Sequence, residues 1–363
     1  MVQPPFLQQI TPTFPPKING LADSAVLIAQ TLARQFEIQT RFIVGDPRWV
    51  GPREHLGFPV TKVRSRSAPT LQNLLHNLPT VLHYEGYGYA QRGYPRWLKG
   101  GLKQWRGQFP QAPLLTLFHE VYPYHAKPPW TSSFWLSPLQ RRLVGQLIRL
   151  SRAVITSKES YAQLLAEIEP TAAEKTIALP IISTIGEPET PPSPLRERPR
   201  RLIVFGHPNS RRLVYGRDRP LLLQACQELG IVAIDDVGVS TELSELSGQL
   251  ALPVVEHGVI AAAAVQQLMA GAIAGFTSFI PPDYLAKSSV YAAFCAYGLI
   301  PIMGQGAQQM MDGLKTQTHY WVVNPDAALN LALGSQIAQN ATNWYRQHDL
   351  QTYTQTLLSA LIG

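Results

Sequence analysis

RLIVFGHPNSRRLVYGRDRPLLLQACQELGIVAIDDVG, residues 201–238, reads as a strand, a basic loop, a helix and a second strand. RLIVFG (Arg201–Gly206) is short, rich in β-formers and ends on glycine. RPLLLQACQELG carries apolar residues at helical spacing and stops at Gly230. VAIDDVG (Val232–Gly238) is strand-like again. Two strands joined through a helix pair in parallel, because a tight turn joins only antiparallel neighbours. Downstream, LPVVEHG (252–258), IAGFTSF (273–279), LIPIM (299–303) and YWVVN (320–324) alternate with helical segments. Upstream the rhythm repeats. A helical pattern over Leu21–Phe36 precedes TRFIVG, and TVLHY (80–84), PLLTLFH (113–119) and AVITS (153–157) follow as strands. Two such series predict an α/β protein with two parallel sheets, each a Rossmann-like domain.

The break between the series is GEPETPPSPLRERPRR, Gly186–Arg201, whose five prolines suit an extended connection. The expected division is therefore an N-terminal domain over 1–185, a linker over 186–200, a C-terminal domain over 201–340 and closing helices over 341–363. A chain of 363 residues has room for two cores. With 45% hydrophobic and 15% charged residues it is globular, not disordered. No apolar run approaches the roughly 20 residues that span a bilayer. The start, MVQPPFLQQITPTFPP, lacks a basic segment followed by an apolar one, so a cytoplasmic protein is expected. Cys226 and Cys295 lie in apolar helical patterns and read as reduced, buried thiols; alone they make no zinc site. The net charge of +7 suits nucleotides, anionic lipid or nucleic acid, with an ordinary solvated surface as the default explanation. The arginines are scattered and no recognition helix or zinc finger is present, so no nucleic-acid partner is expected.

In open α/β sheets ligands gather beyond the carboxyl ends of the strands, so residues there carry the functional reading. Gly20 stands just before a helix, where exposed N–H groups favour an anion; it equally suits a plain turn. Tyr84, Tyr87 and Tyr89 belong to a Gly/Tyr loop after TVLHY. Their flat rings suit a sugar face or a partner, and a packed loop explains them as well. His119 and Glu120 end PLLTLFHE; a histidine there can donate to a sugar hydroxyl or a developing charge, with Glu120 orienting it or binding an acceptor, and a satisfied structural histidine explains it as well. Arg212 and Arg217, with Arg211 as a third guanidinium, follow the strand RLIVFG; guanidinium forks match phosphate oxygens, and surface arginines around a loop explain them as well. In FIPPDYLAKSSVYAAFCAYGLIPIMG (279–304) a helix is expected from about Asp283–Lys287 to Gly298. Lys287, Ser288 and Ser289 near its start offer an ammonium, hydroxyls and N–H groups to a phosphate, or simply cap the helix. In HAKPPWTSSFWLSPLQ (125–140), Trp130 and Trp135 suit a protein partner, a membrane surface, an acceptor lipid or core packing.

Taken in order, these segments resemble the family-4-type retaining glycosyltransferases of the GT-B fold, over essentially the whole chain. The resemblance implies two facing Rossmann-like domains with an interdomain cleft, and a last helix crossing back to the N-terminal domain. It places Gly20 in the family's glycine loop and His119 at the histidine that contacts the donor sugar. It sets Arg212 and Arg217 at the diphosphate-binding positions. The donor would be a nucleoside-diphosphate sugar and the acceptor a glycan, lipid or small molecule. No cofactor and no metal are expected, since Asp-x-Asp is absent. One departure stands out. The family's Glu-x7-Glu signature falls on Leu285 and Ala293, so neither the donor-sugar nor the ribose carboxylate is present. That opens an alternative: a catalytically inactive GT-B protein acting as a binding or assembly factor, peripheral at a membrane or bound to a protein.

Overall fold

The computed structural model describes residues 5–123, 130–240, 252–278, 282–324 and 327–363. Residues 125–129 of the tryptophan segment and 279–281 of the long 279–304 stretch lie outside them. The chain divides into two compact units, Met1–Pro180 with Tyr353–Gly363, and Ile181–Thr352.

Unit 1 holds eight strands: β1 (Phe6–Thr11), β2 (Gln39–Val44), β3 (Glu54–His55), β4 (Phe58–Lys62), β5 (Thr80–Tyr84), β6 (Leu114–Phe118), β7 (Ala153–Thr156) and β8 (Thr176–Ala178). Their order is β3-β4-β2-β1-β5-β6-β7-β8, parallel except for the β3–β4 pair. Strands buried on both faces read as unbroken apolar runs, which is why TVLHY, LLTLF and AVIT stand out. The central strand β1 did not stand out, because FLQQIT carries two glutamines. Both are fully buried and bonded: Gln8 Nε2 donates to Thr80 Oγ1 (2.8 Å) and its Oε1 accepts from His76 N (3.2 Å). The helix Gly20–Phe36 follows β1. It buries Leu21, Ala25, Ile28, Ala29 and Leu32 along one stripe and ends at Glu37, which takes a left-handed conformation.

Unit 2 holds β9 (Arg201–Phe205), β10 (Ala233–Val237), β11 (Val254–Gly258), β12 (Ala274–Thr277), β13 (Ile300–Met303) and β14 (Trp321–Val322), in the order β11-β10-β9-β12-β13-β14, all parallel. The change of unit falls at Pro180–Ile181, ahead of the Pro-rich stretch expected to join the two halves. That stretch is pinned to the second unit. Leu195 is buried in its core, and Arg198 donates to the terminal carbonyls of two helices, Ala272 O (3.0 Å) and Tyr297 O (3.1 Å). Cys226 and Cys295 are free and buried, and burial pushes the Cys226 thiol up to about 12. Among the described residues, no helix is long and apolar enough to cross a membrane.

Candidate functional site

In each sheet the chain runs outward one way and then the other, and the reversal opens a crevice at the carboxyl edge. In unit 1 the reversal lies between β1 and β5; in unit 2 it lies between β9 and β12.

At the unit 1 edge, His119 follows β6. Its backbone N–H donates to Tyr84 O (3.0 Å) and its ring meets that of His83 of β5 edge to edge, with centroids 5.4 Å apart and planes within 19° of each other. The two imidazoles also meet through nitrogen, His119 Nε2 to His83 Nδ1 at 3.2 Å, and His83 Nε2 lies 2.7 Å from Gln9 Oε1 on β1. The sequence left Glu120 to orient His119 or to bind an acceptor; the structure adds a partner for His119 from β5. Glu120 Oε2 accepts from Tyr161 OH (3.0 Å), whose ring lies under Lys158 Nζ at 5.2 Å. Gly20 is the exposed first residue of its helix, and the capping Asn19 Oδ1 already takes the N–H groups of Leu21 (3.0 Å) and Ala22 (3.2 Å). One turn in, burial raises the Asp23 carboxyl to about 6. Once ionised, that carboxyl repels an anion, so this helix end suits a hydroxyl better than a phosphate.

The Gly/Tyr loop is mostly packed. Tyr84 and Tyr89 are buried, and the Tyr89 hydroxyl donates towards Ile10 O (3.1 Å) and His83 O (3.0 Å). Gly45 is required beside it, since a Cβ there would stand 2.6 Å from the Tyr89 ring. Of the three tyrosines only Tyr87 presents its ring to solvent. Trp130 and Trp135 are exposed, 84% and 70%, and the Phe134 ring lies 5.3 Å from that of Trp135. They precede Arg141 and Arg142 on the helix Ser132–Leu150, both exposed.

At the unit 2 edge, β9 ends at Gly206, whose φ of 123° favours glycine, and His207 then caps the helix Pro208–Tyr215 by accepting from Asn209 N (3.2 Å). A Cβ on Gly206 would lie 2.9 Å from Val290 Cγ2, so the start of the helix Ser289–Ala296 packs close to the strand end. That helix begins later than its sequence suggests. Pro282–Lys287 forms a 3-10 turn, and Ser288 Oγ makes the cap by accepting from Tyr291 N (3.1 Å). Lys287 Nζ sits over the Tyr284 ring at 4.9 Å, and Ser289 is the helix's first residue. Arg212 is exposed. Arg217 is bound to its neighbour: Nε to Asp218 Oδ1 (2.6 Å), Nη2 to Oδ2 (2.8 Å) and Nη2 to Ser278 Oγ (2.8 Å). Ser278 in turn donates to Asp218, and Asp218 leaves no room for a Cβ on Gly304. The Arg217 charge is thereby matched, with Nη1 outside those bonds. Arg211, by contrast, is buried against Asp236 and Tyr215. Leu285 and Ala293, at the expected glutamate positions, are both buried among apolar neighbours.

No protein-family model matches the chain, and no curated protein matches it by sequence. Solved structures do match. WaaG, a glycosyltransferase involved in lipopolysaccharide biosynthesis, aligns with a TM-score of 0.59 at 14% identity, over 98% of this chain and 100% of that one. Sucrose-phosphate synthase from Thermosynechococcus elongatus gives 0.62 at 13% identity, over 98% of each chain. An alpha-glucosyltransferase in complex with UDP-glucose and DNA containing an abasic site gives 0.62 at 8%, over 98% and 99%. The chain has the GT-B fold of these glycosyltransferases.

Proposed function

We propose that the protein is a glycosyltransferase that takes a sugar from a nucleoside-diphosphate donor, with retention at the anomeric carbon and without a metal ion. The observation that carries this reading is His119, held at the β6 carboxyl edge of a GT-B fold by a fully buried histidine. A buried, hydrogen-bonded polar partner is costly to install and fixes the outer ring in one pose. His119 is assigned to a sugar hydroxyl, with Glu120 and Gly20 on the same edge. The unit 2 edge is assigned to the diphosphate, through Arg212, Arg217 Nη1, Lys287, Ser288 and Ser289. Cationic and N–H donors there stabilise the charge that grows on the leaving phosphate as the glycosidic bond breaks. The acceptor is a glycan or a lipid. The exposed Trp130, Phe134 and Trp135 next to Arg141 and Arg142 suit a peripheral contact with anionic lipid, readable by co-sedimentation with anionic vesicles.

A second reading, a binding or assembly factor without a working donor site, is favoured by the burial of Leu285 and Ala293 in the core. Calorimetric titration with UDP-, GDP- and ADP-sugars separates the two. Micromolar uptake of one of them, weakened tenfold or more in Lys287→Ala, supports transfer. Absence of binding across the panel removes it and leaves the second reading.

A further inference from the structure

Gln9, His83 and His119 lie on three adjacent parallel strands or their immediate ends. Ile10 pairs with Leu82 and His83 with Leu117, so Gln9, His83 and His119 share one face of the sheet. That face is covered by the helix Gly20–Phe36, whose Ala25 carbonyl accepts from Gln9 Nε2 at 3.4 Å. With its NH2 turned to that carbonyl, Gln9 offers Oε1 to His83. An amide oxygen only accepts, so His83 Nε2 carries the hydrogen across the 2.7 Å contact. Full burial drives the His83 pKa down to about 3, which keeps the ring neutral and leaves a lone pair on Nδ1. His119 Nε2, 3.2 Å away, is then the donor.

We propose that Gln9 and His83 are positioning residues. They set His119 in the Nε2–H tautomer, edge to edge with His83, so that Nδ1 is its basic nitrogen, the one that accepts from a sugar hydroxyl. The directional chain runs from an amide whose orientation is fixed by a helix carbonyl to the ring at the ligand edge. With the Gln9 amide so oriented, the Gln9–His83 and His83–His119 contacts each take one proton arrangement. Close by on β1, Thr11 Oγ1 is buried without a hydrogen-bond partner among the described residues. The sugar-contacting role of His119 rests on the proposed function; the tautomer does not.

The experiment is long-range 1H–15N NMR on the full chain labelled at histidine, at pH 7.5. The expected His119 signature is a protonated Nε2 and an unprotonated Nδ1. His83→Gln supplies a side-chain oxygen as acceptor and keeps that signature; His83→Phe removes the acceptor and yields mixed tautomers. Gln9→Leu, which frees His83 to flip its proton, reads out the first link and serves where His83→Phe fails to fold. Turnover follows the tautomer, falling about 10–100-fold through kcat in His83→Phe and recovering in His83→Gln. An Nδ1–H form in the wild type, or a tautomer unmoved by both His83→Phe and Gln9→Leu, overturns the proposal. The expected tautomer combined with unchanged sugar binding in His119→Ala overturns the assigned role of His119 instead, and leaves the relay standing.

Discussion

Asp23→Asn should stabilise unit 1 near neutral pH and do nothing in acid. Asp23 sits in the first turn of the helix Gly20–Phe36, half-buried, and burial raises its carboxyl from 3.8 to about 6. The folded chain therefore holds this proton more tightly than the unfolded one. The stability so contributed is complete below about pH 4 and is lost as pH rises through 6. Two pH units correspond to about 3 kcal/mol at 1.36 kcal/mol each. Water reaches part of the side chain, so roughly 1–2 kcal/mol is the expected cost of the ionised carboxylate at pH 7.5. Asparagine keeps the shape and drops the charge. Urea unfolding of the full chain, followed by tryptophan emission, is the assay. Trp49, Trp97, Trp105, Trp130 and Trp135 of the seven tryptophans lie in unit 1, so the signal reports mainly on that unit. Asp23→Asn should unfold at higher urea than wild type at pH 7.5 and at the same urea at pH 4. A gain equal at both pH values, or a loss at pH 7.5, would refute the burial argument. The loss would mean that the carboxylate is held by attraction to its helix end, worth about 0.3–1 kcal/mol in the opposite direction.

Arg211→Met strands the buried Asp236 carboxylate and should cost about 3–5 kcal/mol, whereas Arg212→Met, one residue on but exposed, should stay within about 0.5 kcal/mol. Equal effects in thermal melts would contradict this placement. Burial against Trp344 and Tyr345 holds the His348 imidazole near 4 instead of 6.5. The stability this residue contributes is present above about pH 6.5 and is lost as pH falls through 4, by up to roughly 3 kcal/mol. His348→Phe should flatten that acid decline, and a wild-type-minus-variant difference that stays constant from pH 7 to 4.5 counts against it. Ala293→Glu supplies the second carboxylate of the Glu-x7-Glu pattern, but inside a core formed by Ile203, Val237, Phe294 and Leu299. It should lower stability by about 3 kcal/mol or more and create no nucleotide-sugar affinity; calorimetry showing tightened binding would mean that the helix can turn that position outward.

The strands legible in the sequence are those whose burial on both faces leaves apolar runs, such as TVLHY and RLIVF. FLQQIT was not legible, because Gln8 and Gln9 are satisfied by Thr80, His76 and His83, about 70 residues further along the chain. The same distance hides the partner of His119. Its strand-end position follows from the sheet rule; its neighbour on β5 requires the strand order. A lone polar residue inside TVLHY was the available signal. Arg217 carried a plainer one, the aspartate beside it, whose two carboxylate oxygens accept from its guanidinium. The basic loop shows how much helix phase alone decides. Arg211, Val214 and Tyr215 fall at i, i+3 and i+4, so Arg211 points inward on the apolar stripe and Arg212 points out. A guanidinium on such a stripe has to meet a buried acid, and the second aspartate of VAIDDVG, on the adjacent strand β10, supplies it. Of the two adjacent arginines, the exposed one is therefore the one that the proposed function assigns to a phosphate.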